Sequence, residues 1–170
     1  MIVRGNDGAS ERFGRRIERY RSRYNDRQEF LPRAIERLAV IEAQAPVREA
    51  AALMSRPHTD LIVVCDRGAM VGVLTKTDIV GQIGRCMGAG CTARVDAIMT
   101  RDVTYCRAHE LLLDVWSTMR ERGLQRVPVL DEGRRPLGII YAREALQALL
   151  SEAENEEELL RDYVSGIGYR

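Results

Sequence analysis

The chain repeats itself, and that limits its fold more than any other feature. Shifting the sequence by 65 residues lays Ala43 on Ala108, Met54 on Met119, Val64 on Val129 and Asp66 on Asp131, with Glu49 meeting Asp114 in the same register. One residue is then inserted in the second copy (Asp131-Glu-Gly-Arg-Arg-Pro against Asp66-Arg-Gly-Ala-Met), and beyond it Gly72 falls on Gly138. Few residues are identical, but the apolar pattern runs in parallel throughout. A duplicated unit of about 60 residues is expected.

Each copy follows the same pattern. A short strand (Leu38–Ile41; Val103–Cys106) leads into a helix (Val47–Met54; Leu111–Arg120). In the second copy Leu112, Val115, Trp116 and Met119 fall on one helical face. Next comes a continuous apolar run, Leu61-Ile-Val-Val-Cys65 or Val127-Pro-Val-Leu130, which predicts a strand buried on both faces. A turn, a second strand (Val71–Leu74; Leu137–Ile140) and a closing helix (Asp78–Cys86; Arg143–Leu150) complete the unit. One such unit buries too little surface to be comfortable alone. The predicted fold is therefore mixed α/β (α+β), two tandem β-α-β-β-α repeats packed as a pseudo-two-fold pair, with two related clefts between them. The division expected is an Arg-rich arm over 1–30, a first repeat over 31–92, a second over 93–150, and an acidic C-terminal helix and tail over 151–170. Gly88-Ala-Gly90 reads as the linker.

Only 5% of the residues are aromatic, so Leu, Val, Ile, Ala and Met must build the core. No apolar run reaches the roughly 18 residues that span a bilayer, and the N-terminus carries no secretory-type apolar stretch, so a cytoplasmic protein without a membrane partner is expected. Cys65 and Cys106 lie in apolar strands, where a free thiol behaves as a small hydrophobe. Cys86-Met-Gly-Ala-Gly-Cys91 has neither metal-ligand spacing nor a nearby His pair, so no metal site is expected.

Gly72-Val-Leu-Thr75-Lys-Thr-Asp78 is the segment that could carry chemistry. A strand ends and a helix begins at once. Gly72 lets another group approach the backbone closely, and Thr75 offers a hydroxyl beside free helix-start amides, which suits a phosphate. Asp78 presents two acceptor oxygens, which can take both donors of a ribose cis-diol. The same four-residue spacing is also a capping box, with Thr75 as N-cap and Asp78 at N3. Asp rather than the usual Glu or Gln, and the strand-end position in a duplicated fold, tilt the reading towards a ligand.

These residues, with Gln125-Arg126-Val-Pro128-Val-Leu-Asp131 and Val95-Asp-Ala-Ile-Met99-Thr100, resemble a tandem pair of CBS (cystathionine β-synthase) domains of the stand-alone bacterial type. The likeness covers about Leu31 to Leu150. It implies that Asp78 holds the ribose of an adenine nucleotide, that Thr75 contacts ribose or phosphate, and that the backbone near Ile62 faces adenine. Arg126 resembles the basic position that reaches phosphates from the opposite copy; an ordinary exposed strand-end Arg is the other reading. The second copy departs from the motif: Tyr141 stands in place of Thr and Glu144 in place of Asp, so that site is expected to be degenerate.

The resemblance implies a regulatory module for AMP, ADP, ATP or another adenosyl ligand, with no catalytic cofactor. A structural or protein-interaction module with empty clefts is the alternative. No Ser/His/Asp, Cys/His or metal constellation is apparent, and His58 and His109 are far apart in sequence, so an enzyme is not expected. A homodimer is expected, for which Ala50, Ala51, Leu53 and Met54 offer a small-residue helix face. An unidentified regulated enzyme or transporter is the further partner. Ten arginines fall within Met1–Arg37, but they alternate with carboxylates, so a solvated helix is favoured over a nucleic-acid grip. Glu152, Glu154, Glu156, Glu157 and Glu158, followed by Leu159, Leu160, Tyr163 and Val164, read as a helix docking by its apolar end.

Overall fold

Two three-stranded sheets, one per repeat, frame the protein. A computed structural model describes residues 34–86 and 92–167. The Arg-rich arm over 1–30, the Gly88–Gly90 linker and Cys91 lie outside the described residues. The first repeat contains β1 (Val40–Glu42), α1 (Val47–Met54), β2 (Leu61–Asp66), β3 (Ala69–Thr75) and α2 (Lys76–Arg85). A 3-10 turn at Val95–Ala97 leads into β4 (Cys106–Arg107), α3 (Leu112–Glu121), β5 (Arg126–Leu130), β6 (Pro136–Tyr141) and α4 (Ala142–Ile167). The strand orders are β1-β2-β3 and β4-β5-β6, the first pair of each sheet parallel and the second antiparallel. The β-α-β-β-α reading holds in both copies.

The continuous apolar strands earn their two-sided burial from this layering. β2 is central, and alternate side chains leave it in opposite directions. Ile62 and Val64 pack with Val47, Ala50, Met54 and Ile79 from the helices. Leu61, Val63 and Cys65 pack instead with Leu130 and Ile139 of the other repeat. A fully buried Val or Ile contributes about 1.5–3 kcal/mol, so these two strands carry both the repeat cores and the joint between them. The duplication extends to irregularities: each antiparallel pair is bulged at the same place, Val64/Cys65 and Val129/Leu130. Arg67 and Gly68 both take positive φ (50° and 81°), the backbone of a two-residue type I′ hairpin turn.

Each repeat also holds the segment that leads into the other. Thr100 and Val73 exchange two backbone hydrogen bonds of 2.9 Å across the repeat boundary. A Cβ on Gly72 would lie 2.7 Å from the Thr100 carbonyl oxygen, and one on Gly138 would lie 2.8 Å from the Ala34 carbonyl carbon. Met99 and Ala34 are equivalent under the 65-residue shift, so the exchange is itself pseudo-symmetric.

Three expectations are corrected here. The closing helix does not stop at Leu150 but continues as α4 to Ile167, because no Gly or Pro interrupts the sequence before Gly166. Its far end does not dock on the described residues: Leu159, Leu160, Tyr163 and Val164 are 64–71% exposed. The face expected to pair two copies is also already used, since Ala50 and Met54 are buried in the first repeat's own core, with Ala51 and Leu53 packed against it. Among the described residues no helix is long and apolar enough to cross a membrane.

Candidate functional site

β3 ends at Thr75, whose extended backbone (φ −117°, ψ 168°) turns the chain into α2. Asp78 closes a capping box there: its Oδ2 accepts from the Thr75 backbone N at 2.7 Å and from the Thr75 Oγ1 hydroxyl at 2.6 Å. Both bonds fall on one oxygen. Among the described residues the other, Oδ1, accepts none, so capping uses half of the carboxylate.

The next residue begins a chain of charges that crosses between repeats. Lys76 Nζ donates to Asp60 Oδ1 at 3.0 Å. On the other side of the same carboxylate, Arg126 Nη2 lies 3.8 Å from Asp60 Oδ2. The Lys76 hydrogen bond holds the Asp60 carboxyl below its ordinary value; burial opposes this, and Arg126 adds to it. Arg126 Nε is buried and has no hydrogen-bond partner among the described residues.

The second motif forms a different site. Arg126 is in register with Tyr141 across β5 and β6. A cleft of about 410 Å³ opens there, lined by Arg37, His58, Asp60, Arg126, Tyr141 and Arg143 among others. The guanidinium carbons of Arg37 and Arg126 lie 4.7 and 5.8 Å from the Tyr141 ring centroid, within cation–π range. Glu144 Oε1 forms an ion pair with Arg37 Nη2 at 2.7 Å, and the Tyr141 hydroxyl makes a long 3.5 Å contact to the His58 carbonyl. Burial, and then the Asp60 charge, raise the Tyr141 pKa. A smaller cavity of about 300 Å³ lies within the second repeat, lined by Thr104, Tyr105, Cys106, Thr118 and Arg122 among others.

Thr75 and Asp78 therefore come together. Ile62 lies just beneath them, paired with Leu74, its side chain fully buried in the core. Arg126 stands with Tyr141 and, among the described residues, reaches the first motif through Asp60 and Lys76. Asp60, Lys76, Arg37 and His58 were not singled out from sequence. Asp60 had a signal: under the 65-residue shift it falls on Gln125, immediately before Arg126. Arg37 had none, being one of ten arginines in its stretch. Among the described residues no group of His, Cys, Asp and Glu is placed to hold a metal. Burial pushes the Cys65 and Cys106 thiols up to about 12.

This architecture recurs in proteins of known structure. The chain is 32% identical to the homoserine O-acetyltransferase of Methanococcoides burtonii over 62% of its own length and 21% of that protein's. It thus spans about a fifth of the length of the curated relative. The cytosolic domain of the Mg2+ channel MgtE, solved in complex with ATP, matches with a TM-score of 0.56 at 25% identity, covering 74% of this chain and 54% of that one. A CBS domain pair solved with 5′-methylthioadenosine and S-adenosyl-L-methionine matches with a TM-score of 0.55 at 24% identity, covering 68% and 90%. The CBS domain profile matches twice, at residues 33–85 and 95–151, and the chain belongs to the CBS domain family.

Proposed function

We propose that this CBS pair is a regulatory module that binds an adenosyl ligand of the AMP, ADP or ATP type at the start of α2. Binding is passed on by a change in conformation or assembly. The carrying observation is the set of groups gathered around Asp60: Lys76, one residue past Thr75, and Arg126, from the other repeat, share one carboxylate. An incoming phosphate can compete for both cations, and Arg126 Nε would gain the acceptor it lacks. A buried donor without a partner costs about 1–3 kcal/mol. Asp78 Oδ1, which takes no part in the capping box, is the oxygen left for a ribose diol, with Thr75 beside it. The adenosyl ligands of the two structural relatives support the same ligand class.

One tight ligand per chain follows from the departures at Tyr141 and Glu144, whose polar and aromatic groups are already engaged by Arg37. The module is proposed to act without catalysis, as a homodimer, on an enzyme or transporter. With the face around Ala50 consumed, the dimer contact moves to exposed apolar residues such as Val80 and Ile83 on α2.

Thermal unfolding with AMP, ATP, NAD and S-adenosylmethionine tests the reading. A ligand at 100 times its Kd should add about 2.7 kcal/mol. Asp78→Ala removes a cap and should lower the unliganded stability by about 1 kcal/mol; it should also abolish the ligand's gain. A gain that survives in the variant makes Asp78 a cap only. If no adenosyl ligand shifts the wild-type melt, the reading of an interaction module with empty clefts replaces this one.

A further inference from the structure

The second motif carries Tyr141 and Glu144 in place of the Thr and Asp of the first, yet the cleft of about 410 Å³ beside it is strongly charged. Arg37, Arg126 and Arg143 line it against one carboxylate, Asp60, which leaves an excess of two positive charges with His58 neutral. Just outside the lining, Glu144 pairs with Arg37 and Lys76 with Asp60, and these two charges cancel, so the excess stands. Three elements bring the arginines together: the turn before β1, the start of β5 and the first turn of α4.

Such a gathering opposes itself. The guanidinium carbons of Arg37 and Arg126 both lie within 5.8 Å of the Tyr141 ring centroid, and like charges held this near one another repel. Arg37 has Glu144 to offset this. Arg126 has no carboxylate of its own: the Asp60 oxygen is 3.8 Å away, on a carboxylate that Lys76 already bonds at 3.0 Å. Its Nε is buried without a hydrogen-bond partner among the described residues, an arrangement that calls for an acceptor. The 26-residue α4 begins at Ala142 in the same lining, with the positive end of its dipole there, and its first-turn carboxylate Glu144 is turned to Arg37.

We infer that this cleft is a site for a phosphoryl oxyanion carrying two negative charges. Two oxygens of a phosphate match the side-by-side donors of a guanidinium, so Arg126 would present Nε and one Nη together. A carboxylate, with one charge, would leave half of the excess unmatched. The phosphoryl group has two possible sources: a separate small phosphorylated molecule, or the tail of an adenosyl ligand held at the first motif, which Lys76 and Asp60 connect to the cleft. The inference rests on the charges of the cleft and not on the adenosyl reading of the first motif.

The test is equilibrium dialysis of radiolabelled pyrophosphate against the full chain, at fixed ionic strength and without divalent cations. One anion per chain should bind. Arg37→Gln, and Arg126→Lys, which keeps the charge but removes the Nε donor, should each weaken binding by at least about tenfold, as expected for a hydrogen bond to a charged group. Asp60→Asn removes the competing carboxylate and should tighten binding by up to about fivefold, a gain that a damaged fold would not give. Pyrophosphate contains no adenosine, so its binding is scored separately from any shift caused by adenosyl ligands. Displacement by ATP but not by adenosine would assign the cleft to the ligand's tail, and displacement by neither would assign it to a separate phosphorylated molecule. Displacement by adenosine would put the anion in the adenosine site and overturn the inference. So would an absence of binding, or an affinity unmoved by all three substitutions.

Discussion

Gly72→Ala probes the exchange of segments between the repeats. The new methyl would stand 2.7 Å from the Thr100 carbonyl oxygen and 2.8 Å from the Met99 sulfur. Carbon and oxygen normally approach no closer than about 3.3 Å. The sulfur ends a flexible side chain and can yield, but the oxygen is backbone, so the Met99–Thr100 strand must retreat by about 0.6 Å. That movement stretches both Val73–Thr100 hydrogen bonds, each 2.9 Å, towards the limit of bonding. Two weakened bonds at about 1 kcal/mol each, added to an overpacking cost of about 1–3 kcal/mol, give an expected loss of about 3–5 kcal/mol. Against a typical total of about 5–15 kcal/mol this is readily measured. Urea unfolding should show a lower midpoint with an unchanged slope, since the surface exposed on unfolding is the same. A loss below about 0.5 kcal/mol would refute the reasoning. Rescue by Met99→Ala would move the obstacle from backbone to thioether, because that change leaves the Thr100 oxygen in place.

A glycine with space around it should respond in the opposite direction: at Gly81, within α2, an added Cβ would meet only Arg85 Nη2 at 3.9 Å. Gly81→Ala should therefore raise stability by about 0.5–1 kcal/mol in thermal unfolding; a lower melting point would contradict this. The two buried thiols predict an alkaline slope. Cys65 and Cys106 have pKa values raised from 9.0 to about 12 in the folded chain, so the folded state keeps protons that the unfolded state releases. Their contribution is whole below about pH 9 and is lost as pH climbs towards 12, at up to ~1.4 kcal/mol per unit for each thiol. Cys65→Ala with Cys106→Ala should flatten that part of the stability-against-pH curve; an unchanged slope would mean that the thiols ionise while folded.

The fold was legible because hydrophobic pattern and duplication report the same thing. A run such as Leu61–Cys65 has no polar alternation, so it must be covered twice, and a duplicated partner supplies the second cover. Gly72 was read correctly as a place of close approach, although what approaches is the chain's own Thr100. The end of α4 was not legible, since nothing between Arg143 and Gly166 marks a change from packed helix to exposed helix. The face around Ala50 was misassigned because small apolar residues suit a helix–sheet core as well as a helix–helix contact. Arg126 and Tyr141 were each singled out from sequence, but their pairing was not, and Asp60 was not singled out at all. Tyr141 is 15 residues away and Asp60 is 66, and only the fold brings them together.

The charges were not duplicated along with the backbone, and the two strand-to-helix junctions differ for that reason. Under the repeat shift Lys76 falls on Ala142, Asp60 on Gln125, and Leu61 on Arg126. The first motif therefore has a lysine at its helix start and a carboxylate at the neighbouring strand end, whereas the second has an arginine at the strand end and none of the first motif's carboxylate. Glu144 is longer than Asp78 and reaches Arg37, whereas Asp78 folds back onto its own N-cap. Tyr141 presents a ring where Thr75 presents a hydroxyl, and a ring attracts guanidinium groups. Asp60 stands between the two, one oxygen towards Lys76 and the other towards Arg126. In the proposed binding mode an anion at the first motif would compete with this one carboxylate for Lys76. At the second motif two arginines are already set over Tyr141, one of them paired with Glu144. A single backbone unit copied twice thus gives two strand-to-helix junctions with different electrostatics, and the difference traces to fewer than ten side chains.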